Sequence, residues 1–259
     1  MKNFEKKTDT SWEKISSWYD GAVGESGHYY HERVIFPALQ KLISFDEKTH
    51  FSLLDLACGQ GILSRVLPKT ISYTGIDLSP SLIKAAKEKN KNKQCQFFHA
   101  DITKKLPVEK SDFDCCTIIL ALQNIKDPFL ALQNAFLHLK AGGSLVLVLN
   151  HPCFRIPRQS SWGIDEERQI QYRRIDRYQT PMTIPIQAHP SLGKKSEATP
   201  SFHFSLSDLT KWLYKAGFVI EWLEELCSDK KSTGKCAKRE DRSRKEIPLF
   251  LCIKARKLL

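Results

Sequence analysis

The sequence predicts an α/β protein that is built around a parallel β-sheet. Between about residues 50 and 150, short apolar segments alternate with segments of helical periodicity, as in βαβ units. The segment 144–149 is almost entirely Val and Leu, which is typical of a strand that is buried on both faces. Successive βαβ units with right-handed crossovers produce a parallel sheet.

The predicted elements follow one another in a regular order. Apolar segments predict these strands: 52–57, 72–77, 94–99, 113–120, 144–149, 218–226 and 248–256. Helical periodicity predicts these helices: 62–67, 79–90, 128–139 and 207–216. Ser79 is a typical N-cap for the second helix, and Pro80 suits its first position. The strongly charged segment 228–246 is predicted to be a loop.

Composition and charge narrow the class of protein. The chain has 40 Lys and Arg against 29 Asp and Glu, and its formal net charge is +11. Such a basic surface serves solubility, or it binds nucleic acid or another anionic partner. The eight cysteines form no C-x-x-C pair, and no signal peptide is evident, so we expect a reduced, cytoplasmic protein. No run approaches about 18 apolar residues, so no membrane insertion is expected.

The central motif is Asp55-Leu56-Ala57-Cys58-Gly59-Gln60-Gly61, where the first predicted strand meets a helix. Gly59 and Gly61 allow a sharp turn and a close approach of ligand to backbone. The helix that follows offers free N–H groups at its N-terminus. Dinucleotide enzymes use the same device, but a carboxylate such as Asp55 beside the turn can also pair with an amine.

Two further carboxylates follow strand ends. Asp77 ends the second predicted strand and can accept two hydrogen bonds from ribose hydroxyl groups. Asp101 follows the third strand and can accept from an adenine amino group. Each residue alone fits a turn or a helix cap equally well. Three such strand ends in succession line the carboxyl edge of the sheet, where ligands bind in this architecture.

Together these residues resemble the class I S-adenosylmethionine-dependent methyltransferases, most strongly over about 50–150. The run 55–61 is similar to the family's D-x-x-C-G-x-G loop around the methionine part of the cofactor. Asp77 is similar to the ribose-binding acid, and Asp101 with Ile102 to the pair that contacts adenine. The turns at 139–143 and 216–218 match the family's L-x-x-G-G and A-G-F sequences. The resemblance implies these cofactor-binding residues: Asp55, Ala57, Cys58, Gly59, Gly61, Asp77, Leu78, Asp101, Ile102 and Leu120.

The same resemblance implies a Rossmann-like three-layer sandwich, whose seven-stranded sheet is mostly parallel with an antiparallel last strand. The chain is then a single methyltransferase domain with these parts: an N-terminal helical lid at 1–50, a cofactor-binding core at 51–150, a substrate-side insertion at 151–203, and a C-terminal helix with strands at 204–259. The runs 18–20, 27–31, 151–155 and 172–174 resemble a bacterial subgroup of small-molecule methyltransferases, similar to methyltransferase types 11 and 25.

Other candidate residues lie outside the cofactor loop. Tyr19, Tyr30 and His31 are expected to close over the methyl donor and bond its carboxylate; aromatic packing of an amphipathic helix is the alternative. His151 follows the fifth predicted strand, near the expected acceptor pocket. We interpret it as a general base or an orienting donor, with a plain loop histidine as the alternative.

A group of arginines lies in the insertion: Arg155, Arg158, Arg173, Arg174 and Arg177. Arginine binds carboxylate and phosphate groups through two parallel hydrogen bonds, so one or two of these residues could bind an anionic acceptor. The alternative is a solvated face, on which they pair with the acidic residues at 165–167 and with Asp176.

The sequence therefore predicts methyl transfer from S-adenosylmethionine to a small molecule, on oxygen, nitrogen or carbon, with S-adenosylhomocysteine as the product. An RNA methyltransferase is the first alternative, although 121–124 lacks the N-P-P-Y run of enzymes that methylate base nitrogens. A non-catalytic cofactor-binding protein is the second. The third alternative is a nicotinamide-dependent oxidoreductase, but Ser64 and Asp55 depart from the nicotinamide-binding fingerprint of such enzymes. No cluster has metal-ligand spacing, so no metal is expected, and the oligomeric state is left open.

Overall fold

The structure is a computed structural model that describes residues 10–43, 50–187 and 198–258. Within these ranges the strands are β1 (Ser52–Leu56), β2 (Ser72–Asp77), β3 (Cys95–His99), β4 (Phe113–Ile119), β5 (Leu139–Asn150), β6 (Ser160–Asp165), β7 (Ile170–Ile175), β8 (Met182–Gln187), β9 (Ala198–His203), β10 (Phe218–Leu226) and β11 (Phe250–Lys257). The α-helices are α1 (Ser16–Val23), α2 (Phe36–Leu42), α3 (Ile62–Val66), α4 (Pro80–Lys89), α5 (Pro128–His138), α6 (Leu206–Ala216) and α7 (Ala237–Glu246). Among the helices of these ranges, none has the length and apolar character needed to cross a lipid bilayer.

Seven of the described strands form one sheet, in the order β10-β11-β5-β4-β1-β2-β3. The strands from β5 to β3 in this order are parallel, whereas β11 runs antiparallel between β5 and β10. The sheet confirms the predicted Rossmann-like class and the antiparallel last strand. The chain reverses its direction across the sheet between β3 and β4. Open α/β sheets bind ligands beside such a reversal, at the carboxyl ends of the strands, which here are the ends of β1 and β4.

Helices pack on both faces of this sheet because its central strands are apolar on both sides. Along β5, Leu145, Leu147 and Leu149 belong to the core cluster that includes α5 and α6. Val146 and Val148 belong to the cluster on the other face, which includes α2, α3 and α4. Successive side chains of a strand point to opposite faces, so this alternation produces the three layers.

The predicted insertion contains two hairpins outside the main sheet. β6 pairs with β7 and β8 pairs with β9, each in antiparallel register. The side chains of β6 and β7 are exposed or half-buried, so these strands lack the regular apolar alternation from which strands are predicted. Residues 188–197 of the insertion lie outside the described residues.

The expectation of a loop throughout 228–246 is wrong, because this segment contains α7. The helix has no apolar stripe, and contacts with the β6–β7 hairpin hold it instead. Arg239 pairs with Glu166 at 2.9 Å, and the hydroxyl of Ser243 bonds the side chain of Gln171 at 3.2 Å. Helix formation that depends on tertiary contacts leaves little trace in a local sequence pattern.

The turn from α6 into β10 depends on a glycine. Gly217 ends α6 with φ +98°, and a Cβ atom at this position would lie 2.6 Å from the ring of Phe136. We expect Gly217→Ala to lower the free energy of unfolding by about 2–4 kcal/mol, because left-handed strain and overpacking add. Urea unfolding followed by circular dichroism measures this change.

Gly142 provides the matched control for this variant. Its φ is +74°, but no atom lies within 4 Å of the position that its Cβ would take. Gly142→Ala should therefore cost about 1 kcal/mol, from backbone strain alone. Equal losses of stability in the two variants would contradict the packing argument.

Candidate active site

The turn between β1 and α3 has a backbone that other groups can approach closely. Ala57, Gly59 and Gly61 have φ values of 61°, 55° and 72°, all in the left-handed region. A Cβ atom on Gly59 would lie 3.2 Å from the ring of Tyr19. The missing side chain therefore lets a flat group lie against the turn, and in this structure the Tyr19 ring lies there.

Asp77 fixes this turn to the neighbouring strand. Its Oδ2 accepts a hydrogen bond from the backbone N–H of Gly59, and its Oδ1 accepts from that of Ser79, both at 2.8 Å. The N–H of Cys58 also donates to the carbonyl oxygen of Ile76, at 3.0 Å. Burial raises the pKa of Asp77, although the two N–H donors act to lower it. Each carboxylate oxygen can accept a second bond, so the group can still bind hydroxyls.

Asp55 lies beneath the turn rather than beside it. Its side chain is 97 % removed from solvent, since the residue is only 3 % exposed. The hydroxyl of Tyr73 donates to Oδ2 at 2.5 Å, and that of Thr117 donates to Oδ1 at 2.7 Å. Burial raises the pKa of Asp55 to about 6. The predicted pairing of Asp55 with an amine of the cofactor stays a prediction, and the observed contacts show a group that holds three adjacent strands together.

The sequence did not identify Tyr73 and Thr117, whose hydroxyl groups bond the carboxylate of Asp55. Both lie on strands that pair with β1, namely β2 and β4. The available signal was a polar residue within an otherwise apolar, fully buried strand, as in Cys115-Cys116-Thr117-Ile118. Such a residue needs a buried partner, and Asp55 is that partner.

The remaining predicted cofactor residues occupy the same edge of the sheet. Asp101 is half-buried; burial acts to raise its pKa, but bonds from Thr103 and Lys104 lower it on balance. Ile102 is buried in the core, and Leu78 is half-buried, with its carbonyl oxygen 3.0 Å from Nε2 of His99. Leu120 directly follows β4 and has a φ of 52°. These residues follow the ends of β3, β2 and β4, as the resemblance implies, and their roles stay predictions.

The described part of the predicted lid, 10–43, packs onto the turn and the start of α4. The amide of Gln60 donates to the carbonyl oxygen of Gly24 at 2.9 Å, and Asp20 pairs with Lys89 at 2.7 Å. Glu13 accepts hydrogen bonds from Ser79 and Ser81 at the start of α4. Residues 1–9 and 44–49 of the predicted lid lie outside the described residues. The contacts of Glu13 and Gln60 had no signal in the sequence, because their partners are distant in the chain.

Tyr30 and His31 lie in surroundings that differ from those of Tyr19. The ring of His31 is buried and stacks on His28, at 3.9 Å between centroids, and on Phe36, at 5.4 Å. Burial lowers the pKa of His31 to about 3, so the imidazole is neutral. Tyr30 packs edge-on against Phe250 at the start of β11. Their predicted contact with the carboxylate of the methyl donor stays a prediction.

His151 is 1 % exposed, and both of its ring nitrogens are engaged. Nδ1 accepts from the backbone N–H of Cys153 at 3.2 Å, so Nε2 carries the proton and donates to Glu225 at 2.7 Å. Burial lowers the pKa of His151, against the opposing effect of Glu225. In this conformation neither nitrogen is free to take a proton from an acceptor. The catalytic role stays a prediction, and the geometry favours its orienting form.

A cavity of about 200 Å³ lies at the same edge of the sheet, beside the start of β11. It is lined by Tyr30 of the lid, by residues of the insertion and by the loop that leads into β11: Tyr30, Phe154, Arg155, Trp162, Arg173 and 247–249. The lid and the insertion therefore meet at one concave site, as expected for an acceptor pocket.

Comparison with known proteins identifies a family that has this fold. Residues 54–147 match the family model described as "Methyltransferase domain". A crystal structure of an S-adenosylmethionine-dependent methyltransferase from Mesorhizobium loti superimposes with a TM-score of 0.68 and 26% sequence identity, over 85% of this chain and 96% of that chain. The chain contains a class I methyltransferase domain. S-adenosylmethionine is the cofactor of that class.

Two curated relatives match this chain over part of their length. The demethylmenaquinone methyltransferase of Lactococcus lactis is 29% identical over 60% of this chain and 64% of the relative. The demethylmenaquinone methyltransferase of Staphylococcus aureus strain MRSA252 is 36% identical over 36% of this chain and 40% of the relative. The matched segments thus span less than two thirds of either relative.

The raised pKa of Asp55 makes the stability of the protein depend on pH. Its ordinary value is 3.8, and in the folded state it is about 6, so the folded state binds this proton more tightly than the unfolded state does. The stabilisation that comes from this bound proton is present at low pH and is lost as the pH rises from about 4 to above 6. The difference of about two pKa units corresponds to about 3 kcal/mol.

We therefore expect Asp55→Asn to become more stable relative to the parent protein, by about 3 kcal/mol, as the pH rises from about 4 to 7. Urea unfolding of both proteins at each pH measures the difference. Asp112→Asn is the control, because Asp112 is exposed and lies outside the site, and its curve should parallel that of the parent. A pH-independent difference for Asp55→Asn would contradict the raised pKa, because it would mean that Asp55 binds its proton equally in the folded and unfolded states.

Proposed function

We propose that this protein transfers the methyl group of S-adenosylmethionine to a small-molecule acceptor. The observation that carries the proposal is the turn at Gly59, which Asp77 holds in a left-handed conformation at the carboxyl edge of the sheet. Tyr19 of the lid covers this turn, and the cavity lies at the same edge of the sheet, beside the start of β11. A cofactor site and an acceptor site on the same edge are what a two-substrate transfer requires.

The residues around the turn fit S-adenosylmethionine. The bare backbone at Gly59 leaves the space that Tyr19 now fills, and this space would take the methionine part. Asp77 keeps acceptor capacity for the ribose hydroxyls, with Leu78 beside it. Asp101 and Ile102 would contact the adenine. Bound there, the cofactor supplies a methyl group that is activated by a positively charged sulfur atom.

The protein itself contributes alignment and exclusion of water. In-line displacement needs the acceptor atom and the methyl group in near-contact, and water has to be kept away. The lid serves both needs, since α1 is held over the turn by Gln60 and Lys89. His151 orients the segment that follows β5, because its ring and its carbonyl oxygen bond the N–H groups of Cys153 and Arg155. An acceptor with a low pKa needs no further base.

The acceptor class follows from the size and enclosure of the cavity. A volume of about 200 Å³, bounded by the lid and the insertion, fits a small organic group. The two curated relatives are named for a small-molecule substrate as well. We also propose that the protein acts in a bacterial cytoplasm, because those relatives are bacterial and all eight cysteines have free thiols.

Cofactor binding tests the role of Asp77. We expect Asp77→Asn to weaken binding of S-adenosylhomocysteine by roughly 10- to 100-fold, since an amide nitrogen cannot accept from Gly59, Ser79 or a ribose hydroxyl. Isothermal titration calorimetry measures the affinity. Asp112→Asn should bind as the parent does. An unchanged affinity in Asp77→Asn would remove Asp77 from the site.

Methyl transfer tests the function directly. We expect purified protein, incubated with methyl-labelled S-adenosylmethionine and a bacterial lysate, to place the label in the low-mass or lipid fraction. Heat-inactivated protein is the control. Label in RNA that disappears as the salt concentration rises would favour the RNA alternative. Tight binding of S-adenosylhomocysteine without transfer to any fraction would favour a non-catalytic cofactor-binding protein.

A further inference from the structure

The cavity beside β11 contains two guanidinium groups without a carboxylate partner. The guanidinium of Arg155 lies over the ring of Phe250, 5.3 Å from its centroid. Arg173 donates to the carbonyl oxygen of Phe154 and to the hydroxyl of Ser160, both at 2.7 Å. Among the described residues, no carboxylate lies within 4.0 Å of either group. Both arginines are half-buried, and burial lowers the pKa of both guanidinium groups.

The other arginines of the insertion differ from these two. Arg174 pairs with Asp176 at 2.6 Å, and Arg168 lies 3.9 Å from Asp165. Arg158 and Arg177 are exposed to solvent. Among the described arginines of the insertion, only the two that line the cavity, Arg155 and Arg173, combine partial burial with a lack of acidic partners. A half-buried charge that has lost hydration without gaining a counter-ion is poised to bind one.

The walls of the cavity combine flat aromatic rings with the two guanidinium groups. The ring of Trp162 faces the guanidinium of Arg173 at 5.1 Å, and Tyr30 packs edge-on against Phe250 at 5.6 Å. Phe154 and the loop 247–249 complete the lining. A volume of about 200 Å³ is slightly larger than a cavity of ~150 Å³ that binds benzene. The shape therefore suits a planar organic group of about one ring.

We propose that this cavity binds a flat organic anion, such as an aromatic carboxylate, and that Arg155 is the cation that receives its charged group. Arg155 has no hydrogen-bond acceptor among the described residues, so its donors are available for a bidentate contact. Arg173 is fixed by its two bonds and adds positive potential. The ammonium of Lys230 lies 4.9 Å from the centre of the Tyr30 ring and adds to the same potential.

The position of the cavity indicates which end of the acceptor it holds; this step rests on the proposed function. Leu120 follows β4 beside the cofactor turn, and β5 and β11 are the next strands of the sheet. Two strand spacings of ~4.8 Å place the start of β11 roughly 10 Å away from the end of β4. The anionic group held by Arg155 is therefore distinct from the methylated atom, and it sets the reach and orientation of the acceptor.

His151 gains a role in this site as a positioning residue. Its carbonyl oxygen accepts from the backbone N–H of Arg155 at 2.8 Å, and its ring fixes Cys153 and packs on Phe154 at 4.8 Å. The buried imidazole thus holds the turn that presents Arg155 and one aromatic wall to the cavity.

Binding of a matched pair of probes tests the proposal without requiring methyl transfer. Benzoate and benzamide have nearly the same size and shape, and only benzoate is charged. In ligand-observed NMR titrations of the full chain with S-adenosylhomocysteine present, we expect benzoate to bind at least about tenfold more tightly than benzamide. Arg155→Gln should abolish this preference, and Arg155→Lys, which keeps the charge but loses the planar fork, should retain part of it.

Arg158→Gln is the matched control, because Arg158 is exposed and does not line the cavity. It should keep the benzoate preference of the parent. Unchanged binding of S-adenosylhomocysteine in all variants shows that they are folded. Failure of benzoate to bind, equal binding of the two probes, or a preference that survives in Arg155→Gln overturns the proposal. If the protein prefers benzoate to benzamide but transfers no methyl group, the anion site is supported and the proposed function is contradicted.

Discussion

The carboxylate of Asp77 is the constraint on which the rest of the site depends. It accepts backbone N–H groups from the turn after β1 and from the start of α4, so it joins two βα connections at one point. Ser79, whose N–H it binds, is also the N-cap of α4 and a partner of Glu13 in the lid. Burial of an acidic group is costly, and here the two N–H donors offset part of that cost. The glycine turn, the helix and the lid are therefore built around one buried anion.

A second buried carboxylate plays a different part. Asp55 meets hydroxyl groups from the strands on either side of β1, whereas Asp77 meets backbone groups of loops. The first acid thus secures the sheet beneath the turn, and the second shapes the turn itself. The two acids look alike in the sequence, each at the end of a strand, and only their partners separate these roles.

The core of the fold was predictable because its signals are local. Runs of Val and Leu, glycine turns and a capped α4 are properties of consecutive residues, and the strands from β1 to β5 follow from them. The hairpin β6–β7 and α7 have exposed, charged surfaces and stabilise each other, so neither has a pattern of its own. The same reason applies to His151, whose partner Glu225 lies on β10, 74 residues away. A residue type and its place after a strand could suggest chemistry there, but not that both ring nitrogens are occupied.

The described lid residues 10–43 form one continuous segment that contributes to two places. Tyr19 lies on the turn at Gly59, and Tyr30 forms a wall of the cavity beside β11. A cofactor that takes the space at Gly59 has to move the Tyr19 ring, and the same segment carries Tyr30 at the cavity. Thermodynamic reciprocity requires that, if one ligand changes the binding of the other through this segment, the second changes the binding of the first by the same factor. Coupling in the favourable direction would stabilise the ternary complex over either binary one, so that an activated methyl group would seldom stay in the site without an acceptor.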